Sequence, residues 1–143
     1  MRKKILIIHG PNLHLLGIRE KEIYGNITLD ELNRKIKDYA KKKGVLLKIF
    51  QENCEGRIIE IITRHIGRVD FLIINPGALT HYSYVLRDCI KGCMIPTVEV
   101  HLSNITKRES FRKRSVIKDV CIAQIYGYGI DSYLKAIDLC LLK

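Results

Sequence analysis

Short unbroken aliphatic runs recur along the chain, and several end in a cluster of Asn, His, Gly and Pro. Ile5-Leu6-Ile7-Ile8 leads into His9-Gly10-Pro11-Asn12, Phe71-Leu72-Ile73-Ile74 into Asn75-Pro76-Gly77, and Thr97-Val98-Glu99-Val100 into His101-Leu102-Ser103-Asn104. Runs of this length, without polar alternation, read as strands of a parallel sheet covered on both faces. Between them the apolar residues change to helical spacing. Leu29, Leu32, Ile36 and Ala40 make one stripe, and Ile58, Ile59, Ile62 and Ile66 another. The pattern predicts a strand over Lys4–His9, a long loop from Gly10 to Asn26, and a helix opened by a Thr28/Glu31 capping box and closed by Gly44. There follow a strand over Val45–Phe50, a helix over Glu55–His65, a strand over Phe71–Asn75 and a helix over Tyr82–Lys91 ended by Gly92. The last part reads as a strand over Thr97–His101, a basic loop from Leu102 to Ser115, a strand over Val120–Tyr126 and a helix over Asp131–Leu142.

Five strand–helix units predict an α/β three-layer sandwich around a five-stranded parallel sheet. The commonest arrangement is the flavodoxin-like order 2-1-3-4-5. In that order the carboxyl ends of strands one, three and four lie side by side and form the ligand crevice. These are the three strands with the polar endings. No repeat, low-complexity segment or linker divides the 143 residues, so one domain, 1–143, is expected.

Charge adds a question. The formal net charge is +10, with clusters at Arg2-Lys3-Lys4, Lys41-Lys42-Lys43 and Lys107 to Arg114. Such clusters bind nucleic acid, form solvated surface, or steer an anionic substrate. No aromatic-rich strand or RNA-binding signature accompanies them, so no nucleic-acid partner is expected. No apolar run approaches the ~20 residues of a membrane span. The basic start followed by four aliphatics mimics a signal peptide but stops at His9-Gly10, short of the ~7–15 residues of an h-region. A cytoplasmic protein with no membrane partner is expected. The five cysteines, Cys54, Cys89, Cys93, Cys121 and Cys140, are odd in number and unpatterned. Neither a disulfide framework nor a zinc ligand set is evident.

Candidate chemistry lies in the loops. The first loop, Gly10 to Gly25, is far longer than the ~2–6 residues usual after a strand, and long loops are often lids. It carries Asn12, Arg19 and Tyr24. By themselves these read as a turn residue after Pro11, a surface arginine paired with Glu20 or Glu22, and an amphipathic surface or interface tyrosine. Glu99 and His101 are two apart on a strand, so their side chains share a face. A carboxylate on a buried strand is costly unless paired, and a Glu99–His101 hydrogen bond would satisfy it and favour a protonated imidazole.

The segments GPNLHLLGIREKEIYG, INPGALTHYS, LRDC, VEVHLSN and RESFR resemble, in order and spacing, those of type II 3-dehydroquinate dehydratase. The resemblance covers nearly the whole chain and implies a flavodoxin-like fold. It implies anti elimination of water from 3-dehydroquinate through an enolate to 3-dehydroshikimate, in the shikimate pathway, with no cofactor and no metal. On it, Tyr24 is the base and Arg19 the guanidinium beside it. A free phenol has a pKa of about 10, so ionising it at neutral pH costs about 4 kcal/mol, and a neighbouring cation lowers that cost. Asn12 supports the enolate oxygen through an ordered water, and His101, paired with Glu99, is the general acid. The backbone N–H groups of Leu102 and Ser103, with the Ser103 hydroxyl, cradle the substrate carboxylate. Asn75, His81 and Arg112 bind its hydroxyls. Asp88 completes a neighbouring subunit's site, which implies a homo-oligomer, a dodecamer built from trimers; read alone, Asp88 is an exposed salt-bridge residue. Arg108 matches a recurrent arginine without an assigned role.

The chain departs from the family pattern at His14, at Glu52 and Cys54, in the Lys113–Val116 stretch, and at Ser132. The competing reading is a flavodoxin-like binding or regulatory module. Against it, Pro11-Asn12-Leu13 stands where an FMN phosphate loop would be, Asn75 stands where a receiver domain carries Asp, and no Gly-x-Gly-x-x-Gly is present.

Overall fold

The computed structural model describes residues 1–18 and 20–143. Its sheet contains β1 (Lys4–His9), β2 (Leu46–Gln51), β3 (Phe71–Asn75), β4 (Thr97–His101) and β5 (Ala123–Tyr126). All neighbours pair in parallel, in the order β2-β1-β3-β4-β5. This is the flavodoxin-like order expected for five strand–helix units.

Five helices accompany the sheet among the described residues: α1 (Lys21–Tyr24), α2 (Leu29–Lys43), α3 (Glu55–Arg64), α4 (Tyr84–Cys93) and α5 (Asp131–Leu141). Alternation along the strands divides the core in two. Ile5, Ile7, Ile73, Val98 and Val100 face α2 and α5, where they meet Leu32, Ile36, Tyr133, Ala136 and Ile137. Leu6, Ile8, Leu72 and Ile74 face α3 and α4, against Ile58, Ile62, Leu86 and Ile90. Each such isoleucine or leucine contributes about 1.5–3 kcal/mol by leaving water. The three central strands are covered on both faces, which is why their sequences run apolar without a break.

Several boundaries differ from expectation. The helix expected over Tyr82–Lys91 begins at Tyr84, after a 3-10 turn over Gly77–His81, and Ser83 caps it by accepting the Leu86 N–H. It runs through Gly92 and stops when Met94 takes a left-handed conformation, so Gly92 is not the terminator. Strand five starts at Ala123, because 118–120 form a 3-10 turn. On α3, Ile61 faces inward and Ile66 is exposed, since the helix ends at Arg64 and Ile66 lies beyond it. The Thr28 hydroxyl accepts the Glu31 N–H at 3.1 Å and capping of α2 is as expected; the Glu31 carboxylate faces the Thr28 hydroxyl at 3.2 Å. The long first loop folds into a 3-10 turn over Leu13–Leu15 and the single-turn α1.

Two glycines allow the loops after β1 and β3 to touch. A Cβ at Gly10 would lie 2.8 Å from the Asn75 carbonyl oxygen, and one at Gly77 would lie 2.9 Å from the Pro11 oxygen. Gly77 also has φ of +59°, a left-handed geometry that glycine adopts without a steric penalty. The approach is fixed by a Gly10 N–H to Asn75 carbonyl bond of 2.7 Å.

Candidate active site

A crevice opens at the carboxyl ends of β1, β3 and β4, where parallel sheets of this order bind ligands. It holds about 660 Å³ of empty space, part of it open to solvent, which suits a small molecule. Asn12, Tyr24, Asn75, His81, His101, Leu102, Ser103 and Arg112 line it, so eight residues singled out in the sequence meet there. Arg108 lines it as well. Arg19 lies outside the described residues. Asp88 is not in the crevice: it is exposed on α4, on a shallow surface with Ile59, Thr63, Val85 and Cys89.

On the lid side, α1 presents Tyr24. The Arg108 guanidinium donates to the Tyr24 hydroxyl at 3.1 Å and reaches the Ser103 hydroxyl at 3.4 Å. It lies 5.6 Å from the Tyr24 ring centroid. Glu20 and Glu109 lie 3.8 and 3.7 Å from the same guanidinium and hold it in place. The Arg108–Tyr24 contact was not legible in the sequence, where 84 residues separate the two partners; the only signal was that Arg108 recurs in the resembling family.

On the strand side, Glu99 is fully buried and His101 nearly so. Nε2 of His101 donates to Glu99 Oε2 at 2.5 Å, and Nδ1 is the ring atom that Glu99 does not engage. Glu99 also accepts from Thr80 Oγ1 at 2.5 Å and from Ser115 Oγ at 2.9 Å. Burial pushes the Glu99 carboxyl up, but the hydrogen bonds and charge of His101, with the Thr80 bond, outweigh it and hold the group below the ordinary carboxylate range.

The floor is built from the β1 and β3 loops. Asn75 is buried; its Oδ1 accepts the Gly77 N–H at 3.1 Å, and its side chain also bonds the buried Tyr133 hydroxyl. The Asn12 backbone N–H donates to Asn53 Oδ1 at 3.0 Å, and Asn12 itself sits at φ of +72°. Glu52 accepts the Asn53 and Cys54 N–H groups, so this departure from the family pattern orders the turn that carries Asn53. His81 Nδ1 donates to the Arg114 carbonyl at 2.6 Å, leaving Nε2 as an acceptor. Burial lowers the His81 pKa, and the charges of His101 and Arg112 add to the effect. Arg112 Nε is buried without a hydrogen bond among the described residues; Glu109 lies 3.1 Å away as an ion pair but off the hydrogen-bonding direction.

With donors, an acceptor, a phenol and a carboxylate-bound imidazole around one small cavity, the crevice is equipped for proton transfer on a small bound molecule. Residues 3–141 match the family model described as dehydroquinase class II. The chain belongs to the class II dehydroquinase family. It is therefore an enzyme, a hydro-lyase of the carbon–oxygen class. The chain is 52% identical over 136 residues to the 3-dehydroquinate dehydratase of Caldicellulosiruptor bescii, covering 94% of each chain. It is 50% identical over 141 residues to the Clostridium beijerinckii enzyme of the same name, covering 98% of this chain and 97% of that one. Among solved structures, type II dehydroquinase from Butyrivibrio crossotus superposes with a TM-score of 0.96 at 46% identity, covering 98% of each chain. A 3-dehydroquinate dehydratase-like protein from Bifidobacterium longum superposes with a TM-score of 0.73 at 27% identity. A flavodoxin-like regulatory module is not favoured for a class II dehydroquinase of this kind. Among the described residues, no helix is long and apolar enough to cross a membrane.

Proposed function

We propose that this one-domain dehydroquinase removes water from 3-dehydroquinate by anti elimination, with Tyr24 as base and His101 as general acid. The observation that carries the reading is the convergence on one crevice of a phenol held by a guanidinium and an imidazole held by a buried carboxylate. A proton beside the substrate ketone passes to the Tyr24 phenolate, and the electron pair moves onto the carbonyl oxygen as an enolate. Donors near that oxygen stabilise it, with Asn12 acting through an ordered water. Collapse of the enolate expels the hydroxyl, which takes the His101 Nδ1 proton and leaves as water, giving the conjugated product 3-dehydroshikimate. Solvent then removes the proton from Tyr24 and restores the one on His101.

In this reading Arg19 and Arg108 both lower the cost of the phenolate. Leu102 and Ser103 N–H groups hold the substrate carboxylate, and Asn75, His81 and Arg112 hold its hydroxyls. The neutral Nε2 of His81 accepts from a hydroxyl, and the buried, unbonded Nε of Arg112 donates to one. The test is to incubate the protein with 3-dehydroquinate and follow the ultraviolet absorbance of the enone. Rising absorbance is expected, with loss of most turnover in folded Tyr24→Phe; no absorbance change from the unsubstituted protein overturns the reading.

The proposal includes a homo-oligomer built from trimers, in which Asp88 reaches a neighbour's site. Its support is the exposed position of Asp88 beside exposed Val85 and Ile66. Light scattering should return a mass that is a multiple of three chains, and a monomer overturns this part. The proposal also includes a cytoplasmic location.

A further inference from the structure

We propose that Thr80 and Ser115 are positioning residues that hold Glu99 as a carboxylate and so fix which nitrogen of His101 faces the substrate. The inference rests on the acid role of His101 proposed above and extends it to two hydroxyls that do not line the crevice.

Proton accounting supports it. Ser115 Oγ accepts the Lys118 N–H at 3.1 Å, so its own proton is directed at Glu99, at 2.9 and 3.0 Å from the two carboxylate oxygens. Thr80 Oγ1 lies 2.5 Å from Glu99 Oε2 and 3.0 Å from Ser115 Oγ. With both hydroxyl protons given to Glu99, that hydroxyl pair is spent. Nε2–H of His101 makes a third donor, at 2.5 Å. Three donors around one carboxyl leave no acceptor for a proton on Glu99 itself. An ionised carboxylate accepts all of them; a protonated one forces a donor in a fully buried site to turn away. An anionic Glu99 in turn keeps the proton of its partner on Nε2, so Nδ1 is the atom that gives and regains the catalytic proton.

Other groups around Glu99 do not supply this control. On β3 its register partner is Ile74, which is apolar. On β5 it faces Gln124, which adds a weak attraction although its Nε2 lacks hydrogen-bond geometry. His81 approaches from the Gly77–His81 turn with its own pKa lowered by burial, and the Arg112 charge lies beyond it. The Cys121 thiol, pushed up to about 12 by burial and then by the charges of Glu99 and Asp119, stays neutral.

The cage also joins two segments of the site. Thr80 precedes His81, and Ser115 follows Arg112 and Arg114. Val116 N–H binds the Thr80 carbonyl at 2.7 Å, and Arg114 carbonyl binds His81. Seating of the basic loop and ionisation of Glu99 are therefore coupled.

The test uses Ser115→Ala and Thr80→Val, with Ser115→Thr and Thr80→Ser as hydroxyl-retaining controls. Two readouts are taken: the Glu99 carboxyl titration by carbon NMR in the substrate-free protein, and the pH profile of kcat with 3-dehydroquinate. Losing a donor to the ionised form raises a carboxyl pKa, so the Glu99 titration and the acid-side midpoint of kcat should both move up by about one pH unit per lost hydroxyl. Turnover below the original midpoint should fall up to about tenfold while that near pH 8 stays within about twofold. Both controls should keep the original midpoint. Should one of the two variants fail to fold, the other carries the same comparison. Unmoved Glu99 titration, or a loss of kcat equal at all pH values, overturns the proposal. If the titration moves but the unsubstituted protein does not dehydrate 3-dehydroquinate, the cage stands and the dehydratase reading falls; if dehydration proceeds and the titration is unmoved, the reverse holds.

Discussion

His9 ends β1 and His101 ends β4, at the same edge of the sheet with only β3 between them. Both are buried. Their partners differ. His9 accepts from the Tyr133 hydroxyl at 2.8 Å and donates to Asn33 Oδ1 at 2.7 Å. These partners are neutral, and burial lowers the His9 pKa to about 4 despite the Asn33 bond. His101 has the Glu99 carboxylate instead. One buried histidine is thereby a fixed neutral hydrogen-bonding element, while the other is held by a buried carboxylate. Burial alone makes a histidine inert at physiological pH. A single buried anion, itself satisfied by hydroxyls, makes one useful as an acid.

Substitution tests the contrast most sharply in turnover. His101→Ala should lower kcat on the order of 10³-fold, within the range for loss of a general acid. His9→Gln, which keeps a donor and an acceptor, should leave kcat within about threefold by the same standard. Equal losses in steady-state assays would show that the two sites do not differ in kind.

Glu99→Gln should have a smaller effect, on the order of 10²-fold in kcat. The loss should grow as pH rises, because the anion that favours a protonated imidazole is gone while the ring remains. A pH–rate profile that falls uniformly would instead assign Glu99 a packing role.

The smallest effect is in stability. His9 is neutral in the folded chain with its pKa lowered to about 4, against 6.5 unperturbed. The unfolded chain therefore binds a proton first as pH falls. The His9 contribution is intact above about pH 6.5, is lost progressively below it, and is fully lost near pH 4, at a cost of up to about 3 kcal/mol. Urea midpoints measured between pH 7 and 4.5 should fall less steeply in His9→Gln than in the unsubstituted protein. Parallel slopes would mean that His9 already carries a proton in the fold.

Legibility divides along sequence distance. The Glu99–His101 pair could be read because side chains two apart on one strand share a face. Asn12, Asn75 and His101 could be placed together because parallel strands must end on one edge. Arg108 beside Tyr24, and Thr80 and Ser115 around Glu99, could not. These contacts join loop residues far apart in the chain, and no local period marks them. Ile66 is exposed for a related reason: helical spacing continues in the sequence past Arg64, but the helix does not.

The sequence by itself determined the five strands, their order and the edge at which chemistry gathers, because apolar periodicity and parallel crossovers leave few alternatives. Only the tertiary structure decided the proton state of each buried group there. That state depends on which donors and charges lie within about 3 Å in a low-dielectric interior, and distance along the chain carries no record of it.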